Sequence, residues 1–107
     1  MKPHEIVYYK DEWVNGLPSI AFEEFEESEA EFKKYLSLLT ENFPCENMSY
    51  DVAGARKGSY WAQFKIHNAV TALSMIMGTF AIVSESEAVI DEIYEKLVTI
   101  LPCKETA

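Results

Sequence analysis

Residues 78–103 read GTFAIVSESEAVIDEIYEKLVTILPC, and the order of signals in this stretch decides the architecture. Thr79 to Val83 is a short β-branched and aromatic run of strand character. Ser84 and Ser86 follow as alternative caps, residues whose hydroxyls accept backbone N–H groups left unpaired at a helix start. Val89, Ile90, Ile93, Tyr94, Leu97, Ile100 and Leu101 then recur at helical spacing, and Pro102 stops the helix.

Fifty-eight positions earlier, residues 20–45 read IAFEEFEESEAEFKKYLSLLTENFPC. Without a gap, the two segments share Phe22/Phe80, Glu27/Glu85, Ser28/Ser86, Glu29/Glu87, Ala30/Ala88, Leu39/Leu97, Pro44/Pro102 and Cys45/Cys103. Phe32/Ile90 and Tyr35/Ile93 are apolar equivalents. A duplication accounts for this echo, and so does the small alphabet from which caps and stops are drawn. Ser28 with Glu31 reads as a capping box, which opens a helix near Glu29. Its core face is Phe32, Tyr35, Leu36, Leu39 and Phe43, while Lys33, Lys34, Ser37 and Glu41 face water and Pro44 ends it. The lead-in from Ser19 fits strand alternation, although Phe22 and Phe25 also make a helical step; the strand reading is preferred.

Outward from these two units the chain is strand-like. Glu5 to Tyr9 is a strand, Asn15-Gly16 with Pro18 a turn, and Met48 to Ala53 alternates. Gly54 to Gly58 is a basic turn leading into a second alternating run, Tyr60 to Ile66, and His67-Asn68 turns again. Val70 to Met77 fits a buried strand or a short helix and is read as a strand. The expectation is one α+β domain over residues 1–107, with an antiparallel sheet of about four to five strands and two helices on one face.

Of the 107 residues 49% are hydrophobic and 13% aromatic, enough for a core and too much for a disordered tail. Eighteen acidic residues against nine basic ones give a net charge of −9, a field that repels nucleic-acid phosphates and argues against direct DNA or RNA binding. The most apolar run, Ala69 to Val83, is interrupted by Thr71, Ser74, Gly78 and Thr79 and falls short of the roughly 18 residues of a membrane span. With no apolar segment at the N-terminus, a soluble cytoplasmic protein is expected. Cys45 and Cys103 are too few for a disulfide framework, so free thiols are expected, with a single bridge between them as the alternative.

Catalytic signatures are absent from the sequence. His4 and His67 are its imidazoles, and neither sits in a motif that couples a nucleophile to a base. There is no C-x-x-C, no H-E-x-x-H and no calcium loop, and Gly54 to Gly58 lacks the length of a phosphate-binding loop. Met75 and Met77 read as core packing. No catalytic residue, metal or cofactor is expected.

Charge is distributed unevenly. Residues 1–53 carry 12 acidic and 4 basic side chains, whereas residues 54–107 carry 6 and 5. Glu23, Glu24, Glu26, Glu27, Glu29 and Glu31 place six carboxylates within nine residues, next to Lys33 and Lys34 alone. A solvated surface that also favours a helix N-terminus is one explanation. A docking surface for a basic partner is the other, since such a field speeds and orients encounter. Tyr8, Tyr9, Trp13, Tyr50, Tyr60 and Trp61 are more aromatics than a core rich in Phe, Leu and Ile requires, and Tyr and Trp anchor interfaces. Trp61 reads as core and Trp13, flanked by Asp11 and Glu12, as an exposed anchor. The expected partner-binding residues are Asp11, Glu12, Trp13, Glu23, Glu24, Glu26 and Glu27.

A short, strongly acidic α+β chain without catalytic apparatus resembles the bacterial immunity proteins that neutralise nuclease toxins, including those of contact-dependent growth inhibition. The likeness is one of size, charge and profile. It implies a one-to-one complex with a basic toxin domain, the acidic surface covering the cationic site that otherwise holds RNA or DNA. Three other classes compete: a nucleic-acid-mimicking inhibitor, a small regulatory or metabolite-binding domain that dimerises through its sheet, and an enzyme working through Glu and His. The last is the least favoured, because nothing in the sequence couples a base to an orienting group.

Overall fold

The computed structural model describes residues 8–13, 15–23, 25–26, 28–51, 59–76 and 78–100. The elements run β1 (Tyr8–Glu12), β2 (Pro18–Phe22), α1 (Glu29–Asn42), β3 (Cys45–Asp51), β4 (Ser59–Ile66), β5 (Ala69–Ile76), β6 (Thr79–Ser84) and α2 (Glu87–Ile100). The strands form one antiparallel sheet in the order β1-β2-β6-β5-β4-β3. The α+β class with two helices is as expected, but the sheet has six strands rather than four to five. The additional strand comes from segments of blurred alternation: β2 and β5 both carry small residues on the face away from the helices, where Ala21, Ala72 and Ser74 break an apolar/polar rhythm.

Both helices begin where the sequence places them. The Ser28 hydroxyl accepts from the Glu31 amide at 3.1 Å, and the Ser86 hydroxyl accepts from the Val89 amide at 3.2 Å. Ser86 is therefore the cap of α2, while Ser84 is buried at the end of β6, its hydroxyl accepting from the Ser86 amide at 3.1 Å. Each helix has 14 residues, and their bounds keep the 58-residue offset of the sequence echo. Cys45 opens β3 directly after Pro44, three residues earlier than expected. The alternation that should have marked it is interrupted by an irregularity between Glu46 and Ser49, where Asn47 takes a φ of 53°. The basic turn Gly54–Gly58, His4 and Cys103 lie outside the described residues.

Register sorts the side chains onto two faces. A row of large residues, Tyr8, Phe22, Phe80, Met75 and Tyr60, crosses β1, β2, β6, β5 and β4 on one face. The helices cover this row: Tyr94 packs edge-on to Tyr8 at 5.7 Å, Tyr35 lies 5.1 Å from both Phe22 and Phe80, and Phe32 sits 5.7 Å from Tyr60. Ile20, Ile82, Leu73 and Ala62 form the next row of the same core. On the opposite face the corresponding rows are small in the middle, and no described helix crosses them.

One polar atom in this core lacks a partner. The Tyr35 hydroxyl is buried without a hydrogen bond, and burial, assisted by the nearby Glu31 charge, pushes its pKa up to about 12. Between the ordinary tyrosine value near 10 and that folded value, the unfolded chain loses this proton while the native one keeps it, so stability falls as pH rises through the window. Tyr35→Phe should cost little at pH 7, since it deletes an unpaired hydroxyl, and should flatten the decline above pH 10. Urea unfolding of both proteins at pH 7 and at about pH 11 checks this; parallel pH dependences contradict it. Phe80→Ala removes the centre of the aromatic row and should cost roughly 3–5 kcal/mol. Ser28→Ala, which deletes the α1 cap together with a long, exposed hydrogen bond from its hydroxyl to Glu26, should cost about 1 kcal/mol in the same assay.

Candidate functional site

The face that the helices leave uncovered is shaped by residue size. One row across it reads Tyr9, Ala21, Ala81, Ser74, Trp61 and the next Asp11, Ser19, Val83, Ala72, Gln63. Large aromatics stand toward the two edges, Tyr9 41% and Trp61 36% exposed, while Ser19, Ala81, Ser74 and Val83 between them are buried. Side chains of unequal height thus leave a trough. At its β1 end lies a depression of about 320 Å³, bordered by Tyr9, Asp11, Glu12 and Trp13 and floored by Ser19, Ala21, Thr79 and Ala81.

Strand alternation decides which β1 residues share this depression. Tyr9 and Asp11 pair with Ala21 and Ser19 on the open face, whereas Lys10 and Glu12 pair with Ile20 and Pro18 on the other. Lys10 accordingly reaches α2, where its ammonium donates to Asp91 at 2.6 Å, and that bond and the neighbouring carboxylates raise its pKa. Glu12 borders the depression from the turn end of the hairpin. Trp13 follows, half-buried, with its amide donating to the Leu17 carbonyl at 2.7 Å and its carbonyl accepting from the Gly16 amide at 2.8 Å. Gly16 supplies the positive φ of 87° that closes this turn.

Of the expected partner-binding residues, the structure gathers Asp11, Glu12 and Trp13 around one depression. Glu23 is exposed directly after Phe22, whose position borders the far end of that depression. Glu26 is exposed two residues before α1 begins its cap, next to Phe25, which is half-buried and tilted against Phe80 at 5.2 Å. Glu24 and Glu27 lie outside the described residues. Trp13 is a half-buried wall rather than a free anchor, and Trp61 stands on the open face instead of in the core, because it alternates along β4 with the core residues Ala62, Phe64 and Ile66.

Neutralisation is selective. Lys33 pairs with Glu29 at 2.9 Å within α1 and Lys10 with Asp91, while the His67 ring lies 3.1 Å from the Glu92 carboxylate. Among the described residues no ion pair engages Asp11, Glu12, Glu23 or Glu26. Residues of the depression that the sequence did not single out are Ser19, Ala21, Thr79 and Ala81, which come from strands far apart in the chain. Tyr9 had a local signal, since it shares Asp11's parity on β1.

Among the described residues no three His, Cys, Asp or Glu side chains converge as metal ligands. Cys45 is half-buried, its thiol donating toward the Leu39 carbonyl at 3.7 Å, and burial raises its pKa away from the reactive thiolate. No described helix is long and apolar enough to cross a membrane.

No protein-family model, curated protein or solved structure matches the chain. Asp11 and Glu23 are exposed and engage no ion pair among the described residues. Asp11→Asn and Glu23→Gln should each leave stability within about 0.5 kcal/mol of wild type, with any gain fading in about 1 M salt. Urea unfolding at two ionic strengths measures this, and a loss above about 1 kcal/mol would assign these acids a structural role.

Proposed function

We propose that this chain is an immunity-type inhibitor, a non-enzymatic protein that binds a basic toxin domain, of the nuclease class, through the acidic surface around β1 and the connection from β2 to α1. The observation that carries this reading is the display of Asp11, Glu12, Glu23 and Glu26 without an ion pair among the described residues, with Asp11 and Glu12 bordering the depression on a face that no described helix covers. Carboxylates placed there add to a net charge of −9 and present a field complementary to a site built to hold phosphates. Aromatic residues at the trough edges, Tyr9 and Trp61, add the apolar contact that charge alone does not give. A surface of this kind inhibits by occupation: a nuclease groove filled by protein carboxylates cannot admit nucleic acid.

A second reading has its own observation. Trp61, Tyr9 and Ile76 leave exposed apolar area on the same open face, as a domain that dimerises through its sheet requires. Light scattering after gel filtration separates the two, since the inhibitor reading expects a monomer at low micromolar concentration.

The decisive experiment captures the partner from the native host, purifies it, and titrates its activity. One basic protein is expected, with a nuclease activity abolished by one equivalent of this chain. Its association rate should drop by about tenfold or more between low and physiological salt. Reversing Asp11, Glu12, Glu23 and Glu26 to lysine together should abolish protection. Recovery of no protein partner at low salt, or of one whose activity is indifferent to this chain, removes the proposal.

A further inference from the structure

The depression beside β1 has a chemistry more specific than negative charge. Tyr9, Asp11 and Trp13, at alternate positions in the sequence, all border it, so two aromatic side chains and a carboxylate line one depression. Directly across from Asp11 is Ser19, its register partner on β2. Ser19 is only 2% exposed, its hydroxyl engages no hydrogen bond among the described residues, and the surface it retains borders the depression. A buried hydroxyl facing a hollow with free lone pairs is an acceptor waiting for a donor. The floor is otherwise Ala21, Ala81 and Thr79, small side chains that leave about 320 Å³, room for roughly ten waters.

We infer that this depression is a slot for one arginine side chain of the protein partner. The guanidinium is flat, so it stacks against Tyr9 and Trp13, and its fork of N–H groups matches a carboxylate at Asp11 while a further N–H reaches Ser19. Lysine fits less well, because its ammonium is a strongly hydrated point charge without a face to stack. The net charge of −9 concentrates cations at this surface, and Lys10, the nearest cation in sequence, is held on the other face by Asp91. The inference deepens the inhibitor reading by naming what the partner inserts, and it can be tested with no partner present.

The probe is Nα-acetyl-L-arginine amide, followed by the emission of Trp13 in a Trp61→Phe background so that one indole reports. A saturable change is expected, weaker by about tenfold or more for the lysine analogue, for the uncharged citrulline analogue, and for Asp11→Asn. Ser19→Ala should weaken arginine binding severalfold while leaving the unfolding midpoint in place. No saturable change, or equal responses to arginine and citrulline, overturns the slot. So does tighter binding of choline than of the arginine amide, which would assign the aromatic pair to an onium ion. If a basic partner is captured and Asp11→Asn leaves its affinity unchanged, the slot falls and the inhibitor reading stands. If the amide binds as expected and no basic partner exists, the slot stands and the inhibitor reading falls.

Discussion

The stacked contact of Phe22 on Phe80, with ring centroids 4.7 Å apart, holds the two ends of the chain in one sheet. β1 and β2 form a hairpin, and β3 to β6 form a continuous meander; the pairing of β2 with β6 is the one strand contact that joins them. Closing a loop of nearly sixty residues costs conformational entropy before any contact offsets it, so this junction needs large apolar area. It has that area. Phe22 and Phe80 are directly opposite in register, Tyr35 from α1 caps both at 5.1 Å, and Phe25 adds a fourth ring 5.2 Å from Phe80. The open-face site inherits its geometry from the same pairing, since Ala21 and Ala81 of the floor are cross-strand partners one step along.

Local signals in the sequence were enough for the helices. Ser28, Ser86 and Pro44 fixed starts and one stop, because caps and breakers act within a few residues of where they stand. Strand count was less legible where both faces of a strand are shielded. Along β5, Thr71, Leu73 and Met75 face the helices while Ala72 and Ser74 face the trough, so size alternates more than polarity. The double reading of Phe22 and Phe25 has a similar cause. Both rings land on Phe80, one from a strand and one from a connection, so their spacing serves a tertiary contact and obeys neither period. The candidate site was half legible. Asp11 and Trp13 belong to a local run, but Ser19, Ala21 and Ala81 become a floor only through register between β1, β2 and β6. Trp61 was misjudged from its size and not its parity: it alternates with the buried Ala62, Phe64 and Ile66 and shares the face of Gln63 and Lys65.

The echo between the two halves locates the acidic excess. Two residues separate the end of β6 at Ser84 from α2, whereas six separate the end of β2 at Phe22 from α1. At the offset that aligns the helices, Ala81-Ile82-Val83-Ser84 correspond to Glu23-Glu24-Phe25-Glu26. In the second half these positions are a strand between two others and must be apolar or small. In the first half Phe25 keeps an apolar contact, and the residues beside it in sequence are acidic.

Helix electrostatics account for part of that charge and no more. An acidic first turn favours a helix N-terminus, and Glu29 and Glu31 stand in the first turn of α1. α2 opens with Glu87 as the one acidic residue of its first turn, so a helix of this length on this sheet does not need a train of carboxylates before it. Glu29 is also balanced by Lys33. Asp11 and Glu12 on β1, Glu23 just beyond β2 and Glu26 before the α1 cap lie outside either helix and without an ion pair among the described residues. Mutual repulsion among acids placed so closely opposes folding, and two of them, Asp11 and Glu12, border the depression on the face that no described helix covers.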